Sequence, residues 1–481
     1  MDQKEKALSL PSQVRSALCQ LSDAIWDHPE IGYHETFAAD AYCALLKEYG
    51  FQVERNLCGI HTAFRGTYGH GSPKIGFLGE FDALGDMSQQ AEALEPIPSV
   101  PGAPGHGCGH NLLGVGSLAA ALSVKQYLDA GHEGTVVFLG CPAEEGGAGK
   151  GFLARDGAFD ELDAALTWHP GDTNHVGSGS TLANYQACYH FKGRSAHAAI
   201  SPELGRSALD AVELMNVGVQ FLREHIAQDC RVHYAITNAG GSAPGVVQAE
   251  ADVLYLMRAP QLSQAKDLYQ RINAIAYGAA QMTGTSVDIE FIKACSNILV
   301  NHTLGHVMQK NLEQLGSADY DDNDRRLAQA LRDTMDHKDE YYRTLVRMAA
   351  GSSRDQELLD NLEAPLHDVV IPYIEQESSS MASSDVGDVS WVCPVAQLST
   401  VTMPAGTSMH SWQEVSVGKS AMAKKGMLQA GKILAATAID LIQNPEIIHK
   451  AQTEQRLKAG NQPFESPIPK EVQPKQPLCA V

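Results

Sequence analysis

The run Gly105-His106-Gly107-Cys108-Gly109-His110 places a thiol and two imidazoles in one glycine-rich turn. Cys108 and His110 are metal-ligand types two residues apart. The same pair also suits half a disulfide, a nucleophilic thiol beside a histidine base, or a turn with idle histidines. A closed structural zinc site takes four ligands, so this stretch cannot complete one alone. Ligand types recur at three further places, about 35, 59 and 300 residues beyond His110. Glu144-Glu145 follows an apolar run and sits between "CPA" and "GGAGKG"; His169 ends "DAALTWH"; His410 lies in "GTSMHSWQ". Cys108, His110, Glu145, His169 and His410 are one ligand too many for a single tetrahedral centre. They suffice for two metals if one ligand bridges. A thiolate or carboxylate bridges and a neutral imidazole does not, which makes Cys108 the candidate. Three protein ligands per metal leave a position for water, the mark of a catalytic site, and two metals can polarise a carbonyl together. Of the adjacent carboxylates, one binds metal while the other acts as general base on a bound water.

Other chemistries find little support. There is no G-x-S-x-G elbow and no dinucleotide fingerprint after a strand. A phosphate loop would need glycine at Glu144 and a hydroxyl at Gly151. "DYDDND" (319–324) fails as a calcium loop because its sixth position is Asp324 and its twelfth Ala330; a solvated acidic turn is expected. The chain has 481 residues and a net charge of −21, which argues against a nucleic-acid partner. Ten scattered cysteines without a C-x-x-C pair, no secretory signal and no run of about 18 apolar residues point to a cytoplasmic protein with free thiols, away from membranes. No internal repeat is present.

These residues need elements to hold them. Val14, Leu18, Leu21 and Ile25 recur at helical spacing, and a second helix is expected from Thr36 to about Tyr49. Apolar strands at 74–84, 135–145 and 163–169 alternate with a helix over 111–128. This predicts an α/β catalytic domain with a mostly parallel mixed sheet flanked by helices, its site beyond the carboxyl ends of the strands. Asp82, Glu144, Glu145 and His169 fall at such ends. From about 183 the order becomes βαββαβ, predicting a smaller inserted α+β domain over 183–297. Residues 1–182 and 298–481 then form the catalytic domain, with a polar helical insertion or lid at about 317–380. One long helix and an extended, proline-rich strap (461–481) end the chain.

"HPEIGYHE", "EFDALG", "GHGCGHNLLG", "PAEEGGAGKG", "GRSAHAA" and "GTSMHSW" occur in order from His28 to Trp412. Taken jointly, they resemble the aminoacylase and carboxypeptidase-G-type family of two-metal amidohydrolases, in the branch whose C-G-H motif supplies the bridging ligand. The resemblance implies two divalent metals, Mn2+ or Zn2+. It implies that Glu145 and His410 complete one site around Cys108, and His110 and His169 the other. Glu144 would be the general base, and Asp82 would hold a ligand in place. His197 would reach a partner's site to stabilise the oxyanion, and Arg258 would bind a substrate carboxylate. The implied reaction is hydrolysis of an N-acyl amino acid, p-aminobenzoyl-glutamate foremost, to p-aminobenzoate and glutamate. Alternatives are another N-acyl or N-aroyl amino acid or dipeptide, or a mainly structural role beside a homologous A subunit; the assembly is a homodimer or such a heteromer. One departure stands out: Gly245 occupies a position that in the family is usually a substrate-contacting asparagine.

Overall fold

The computed structural model describes residues 3–336, 340–352, 354–375 and 379–475. Among them are twelve strands: β1 (Gln52–Arg55), β2 (Phe64–His70), β3 (Lys74–Gly79), β4 (Gly134–Gly140), β5 (Ala164–Gly171), β6 (Thr173–Val176), β7 (Ala183–Lys192), β8 (Arg231–Asn238), β9 (Glu250–Ala259), β10 (Ser286–Cys295), β11 (His367–Val370) and β12 (Val395–Val401). Eight form one sheet in the order β1-β2-β4-β3-β5-β12-β6-β11; the other four form a second sheet, β10-β7-β9-β8. Strands β4, β3, β5 and β12 run parallel at the centre of the larger sheet. β3 and β4 read as continuous apolar runs because both faces are covered, as parallel sheets require. The predicted mixed α/β architecture is present, and the second sheet follows the predicted βαββαβ order, wholly antiparallel.

One helix organises the larger layer. His110–Asp129 is buried along most of its length, so small residues line it where partners come close. Gly116 lies against the Trp168 ring, whose Nε1 donates to the Leu113 carbonyl at 2.8 Å. On the opposite side Gly431, within the helix Ala421–Gln443, abuts Ala119. The glycines thus let two helices and a sheet close on one core, which also takes in Phe77, Phe138 and Leu166.

Several expectations are corrected. The strand expected over 135–145 ends at Gly140, and Glu144 and Glu145 sit on a short helical turn, Glu144–Gly147. The expected long final helix is two, Ala421–Gln443 and Pro445–Lys458, because Pro445 has no N–H to continue the first ladder. Residues 317–380 are not simply a helical insertion. They carry helices Asp322–Arg332, Glu340–Met348 and Asp355–Asp360, but also β11, the edge strand of the main sheet, paired parallel with β6. Nor is the acidic turn wholly solvated. Asp321 caps the helix at 322 in a capping box with Asp324, which is buried and pairs with Lys425 at 2.5 Å. The strap over 463–475 forms no helix or strand; Ile468 is buried, and Arg155 donates to the carbonyls of Pro469 and Val472. Its last residues, 476–481 with Cys479, lie outside the described residues, and none of the nine described cysteines forms a disulfide with another. No helix among the described residues is long and apolar enough to cross a membrane.

Candidate metal centre and active site

The four central parallel strands end on one side of the sheet, and each sends a side chain there. Glu80 and Asp82 follow β3, Glu144 and Glu145 follow β4, His169 lies near the end of β5, and His410 sits in the loop after β12. Cys108 and His110 arrive from the loop after β3, at the start of the helix His110–Asp129. The turn between them needs glycine. Gly109 has φ +67°, and a Cβ there would meet the Pro170 ring at 2.9 Å. Two non-glycine residues of the site also adopt left-handed backbone, Ala143 (φ 57°) beside the glutamate pair and His410 (φ 59°). Such conformations are costly and survive where surroundings hold them. His410 is held by its N–H, which donates to the Gly107 carbonyl and to Glu414 Oε2, each at 2.9 Å.

The five candidate ligands converge in two triads. Cys108, His110 and His169 form one; Cys108, Glu145 and His410 form the other; within each, the ligand atoms lie within 4.8 Å of one another. Cys108 is the residue they share. Its Sγ is 3.4 Å from His169 Nε2, and His410 Nε2 is 3.5 Å from Glu145 Oε2. The imidazoles are oriented from behind. His169 Nδ1 faces the Pro170 carbonyl at 2.8 Å, and His110 Nδ1 donates to Asp82 Oδ1 at 2.9 Å, so each presents Nε2 to the centre. Asp82 also accepts the Glu145 N–H at 2.9 Å on its other oxygen, tying one triad to the other. His106 points elsewhere, its Nε2 at 3.1 Å from the Ile25 carbonyl; burial holds its pKa down at about 3, so it is neutral.

The site fits a metal pair. Glu145 Oε1 is buried without a hydrogen-bond partner among the described residues, and His110 Nε2 makes no hydrogen bond there either, although Glu80 Oε2 lies 3.2 Å from it; both atoms belong to the triads. Buried polar atoms are normally satisfied, and a cation between them would satisfy both. Burial would raise the Glu145 carboxyl, but its hydrogen bond with His410 and the charge on His110 hold it down at about 2, ready to serve as an anionic ligand. Burial, then Glu145, pushes the Cys108 thiol well above its ordinary value, so a thiolate here calls for bound cations.

Around this centre lie residues that the sequence reading did not assign. Lys150 is fully buried, with Nζ 2.8 Å from Glu80 Oε1 and 2.5 Å from Asp385 Oδ1. Glu80 in turn lies 3.2 Å from His110 Nε2. Glu144, Glu80 and His110 gather within 4.8 Å. Burial first, then Asp385 and Glu80, drive Glu144 well above the usual carboxyl range, which suits a group that must take and return a proton. Glu35, also buried, accepts from the Ala143 N–H and the Thr62 hydroxyl; burial and then Asp82 raise it to about 8.

A cavity of about 380 Å³ opens onto the centre, lined by Asp82, Glu144, Glu145 and His410 on one side and by Asn184, Gln186, Arg258 and Lys293 of the second sheet on the other. Arg258 donates to the Met381 carbonyl, while its Nε is buried and unpartnered among the described residues. His197 is elsewhere. It is exposed on the second unit, its Nδ1 accepting the N–H groups of Ala199 and Ile200, which leaves Nε2 as a donor. Gly245 is its neighbour: its carbonyl accepts the Ala198 N–H at 2.9 Å, and an added Cβ would meet nothing within 4 Å. The backbone there has room for an asparagine.

A model of peptidase family M20/M25/M40 matches residues 76–422. This chain belongs to that family. The motif resemblance read from His28 to Trp412 is thereby borne out. The sequence is 46% identical over 463 residues to the B-type subunit of p-aminobenzoyl-glutamate hydrolase from Escherichia coli (strain K12), covering 96% of each chain. It is 31% identical over 328 residues to Xaa-Arg dipeptidase of Mus musculus, covering 65% of this chain and 72% of that one. The crystal structure of a dinuclear metal-binding peptidase of the M20 family from Bacillus subtilis shares the fold, with a TM-score of 0.56 at 16% identity over 90% of this chain and 99% of that one.

Proposed function

We propose that this chain hydrolyses the amide bond of p-aminobenzoyl-glutamate, releasing p-aminobenzoate and glutamate, with two divalent metals, Mn2+ or Zn2+, bound by Cys108, His110, Glu145, His169 and His410. The observation that carries the reading is the pair of ligand triads sharing Cys108 beside a cavity whose second-sheet wall carries two cations, Arg258 and Lys293. The match along 96% of the bacterial hydrolase's B-type chain supports the substrate.

When bound, the metals would supply Lewis acidity toward the scissile carbonyl and lower the pKa of a water. The remaining work belongs to side chains. Glu144 accepts the proton of the attacking water and returns it to the leaving amine. Asp82 keeps His110 and the Glu145 backbone in register. Arg258 and Lys293 present two cations to the cavity, matching the two carboxylates of a glutamate; Arg258 offers a fork of donors. His197 donates to the oxyanion in the active site of a neighbouring subunit. Residues 183–297 act as an inserted dimerisation and lid domain, and exposed Val217, Phe221 and Ile236 support such an interface.

Each cation can be tested separately. Arg258→Met is expected to raise KM by roughly 10–100-fold with little change in kcat, the equivalent of a lost charge-assisted hydrogen bond of about 1.5–3 kcal/mol. Lys293→Met is expected to erode discrimination between p-aminobenzoyl-glutamate and an analogue without the side-chain carboxylate. An unchanged KM in both variants would remove the assignment of the glutamate moiety to this cavity.

A second reading is favoured because the bacterial relative is itself one subunit of its hydrolase: a heteromer with a homologous A-type chain, in which this chain works in part as a scaffold. Assays of the chain alone and of the reconstituted pair distinguish the two. A silent isolated chain beside an active pair would support the heteromer.

A further inference from the structure

The cavity wall supplied by the second sheet is built as two cross-strand rows. Asn184 on β7 pairs with Arg258 on β9 and Cys295 on β10; two residues on, Gln186 pairs with Leu256 and Lys293. Side chains two apart share a face of a sheet, and all six line the cavity, while Tyr185 and Ala187 turn the other way into the core. Asn184 is 3% exposed, yet its Oδ1 has no hydrogen-bond partner among the described residues. Arg258 Nε and Ser383 Oγ, of residues that line the same cavity, are buried and unpartnered in the same way. The segment of Ser383 is held against this wall: the Leu182 N–H donates to the Ala382 carbonyl at 2.8 Å, and Arg258 Nη1 to that of Met381 at 3.2 Å. Buried polar atoms are normally satisfied. One acceptor and two donors thus stand unfilled here, and a ligand that fills them must bring a donor and an acceptor together.

We infer that Asn184 is a specificity-determining residue that accepts the N–H of the scissile amide, with Ser383 adding a donor beside Arg258 for the α-carboxylate. The inference rests on the hydrolytic reading and narrows its substrate class to secondary amides of α-amino acids. In such a substrate the amide N–H and the carboxylate branch from one carbon. That spacing suits an acceptor and a guanidinium at opposed positions of neighbouring strands, whose Cβ atoms lie about 4.5–5.5 Å apart. Glu144 lines the same cavity from the other side, so a nitrogen held by Asn184 is turned toward the group that returns a proton to it. Lys293, one row further along, is left to the side-chain carboxylate. A site whose buried acceptor needs a substrate N–H discriminates against an analogue without one, because the acceptor is then left unpaired. The ester of the corresponding 2-hydroxy acid is such an analogue: it presents a lone pair to Asn184 in place of the hydrogen.

The test pairs p-aminobenzoyl-glutamate with its ester counterpart, in which oxygen replaces the amide N–H. Both are given to the metal-loaded wild type and to Asn184→Leu, which keeps the volume and removes the acceptor. Asn184→Leu is expected to lower kcat/KM for the amide by roughly 10–100-fold. Its loss on the amide should exceed its loss on the ester by about ten-fold or more, the coupling that a direct contact leaves in such a cycle. Asn184→Ala should show the same split, and ester turnover by the same preparations reports that each variant is folded and loaded. Equal losses on both substrates, or an undiminished amide rate, would overturn the proposal. A wild type that leaves the amide uncut, alone or with an A-type partner, would instead remove the hydrolytic reading, and this proposal with it.

Discussion

Glu144→Gln is expected to lower kcat by about 10²–10⁴-fold, the range for removing a positioned general acid–base group, while metal content and KM stay near wild type. Glutamine keeps the volume and one carbonyl acceptor but cannot take a proton. Glu144 stands beside the ligands, close to Glu80 and His110 and in the wall of the cavity. Glu145, its neighbour in sequence, turns to His410 and the Asp82-anchored backbone. The helical turn that begins at Glu144 sends the two adjacent carboxylates in different directions, which in the proposed reading would let one anchor cations and the other handle protons. Metal analysis and steady-state kinetics on the same preparation separate the roles. Loss of metal together with rate would make Glu144 a ligand instead. An unchanged rate in the reconstituted pair would make this chain a scaffold.

Lys150→Met should cost about 3–5 kcal/mol of folding stability, the penalty for breaking a buried ion pair by removing one partner. Lys150 is the cation between Glu80 and Asp385, and Glu144 adds a third carboxylate nearby. Burial already raises Glu144 and Asp385, while the Lys150 charge holds Glu80 below its ordinary range against burial. In the variant, folded Glu80 and Asp385 would hold protons to a higher pH than in the unfolded chain. Stability is then lost as pH rises through those raised values, so the deficit should be larger at pH 8 than at pH 5. Denaturant midpoints at the two pH values measure this. Adding Glu80→Gln and Asp385→Asn to the variant should recover part of the loss by removing the orphaned charges. A deficit independent of pH would mean that Lys150 acts through packing alone.

The candidate ligands that the fold brings together were legible because each is a chemically unusual residue at an element's end. His169 closes an apolar strand, and Cys108 and His110 sit in a glycine turn at a helix start. The central strands were legible because a sheet covered on both faces writes continuous apolar runs. Lys150 was not. In "GGAGKG" it entered only a phosphate-loop pattern that fails, and only the tertiary structure brings Asp385, 235 residues further along the chain, to meet it. The signal available was a lone lysine in an otherwise apolar, glycine-rich stretch beside two carboxylates. β11 was also illegible. Four residues, His367–Val370, carry no usable period, and their strand state depends on β6, nearly two hundred residues away. The break at Pro445 was readable from local chemistry, but the apolar pattern running through it outweighed the proline.

The central claim is that catalysis depends on a metal pair sharing Cys108. It is tested by stripping the protein with a chelator and titrating it with Mn2+ while following release of glutamate from p-aminobenzoyl-glutamate, in wild type and in Cys108→Ala, alone and with an A-type partner. The expected result is that wild-type activity, absent after stripping, climbs to a plateau near about two equivalents per chain while Cys108→Ala stays flat. Full activity in the stripped protein, a plateau at one equivalent, or a Cys108→Ala chain that recovers the wild-type rate would contradict it.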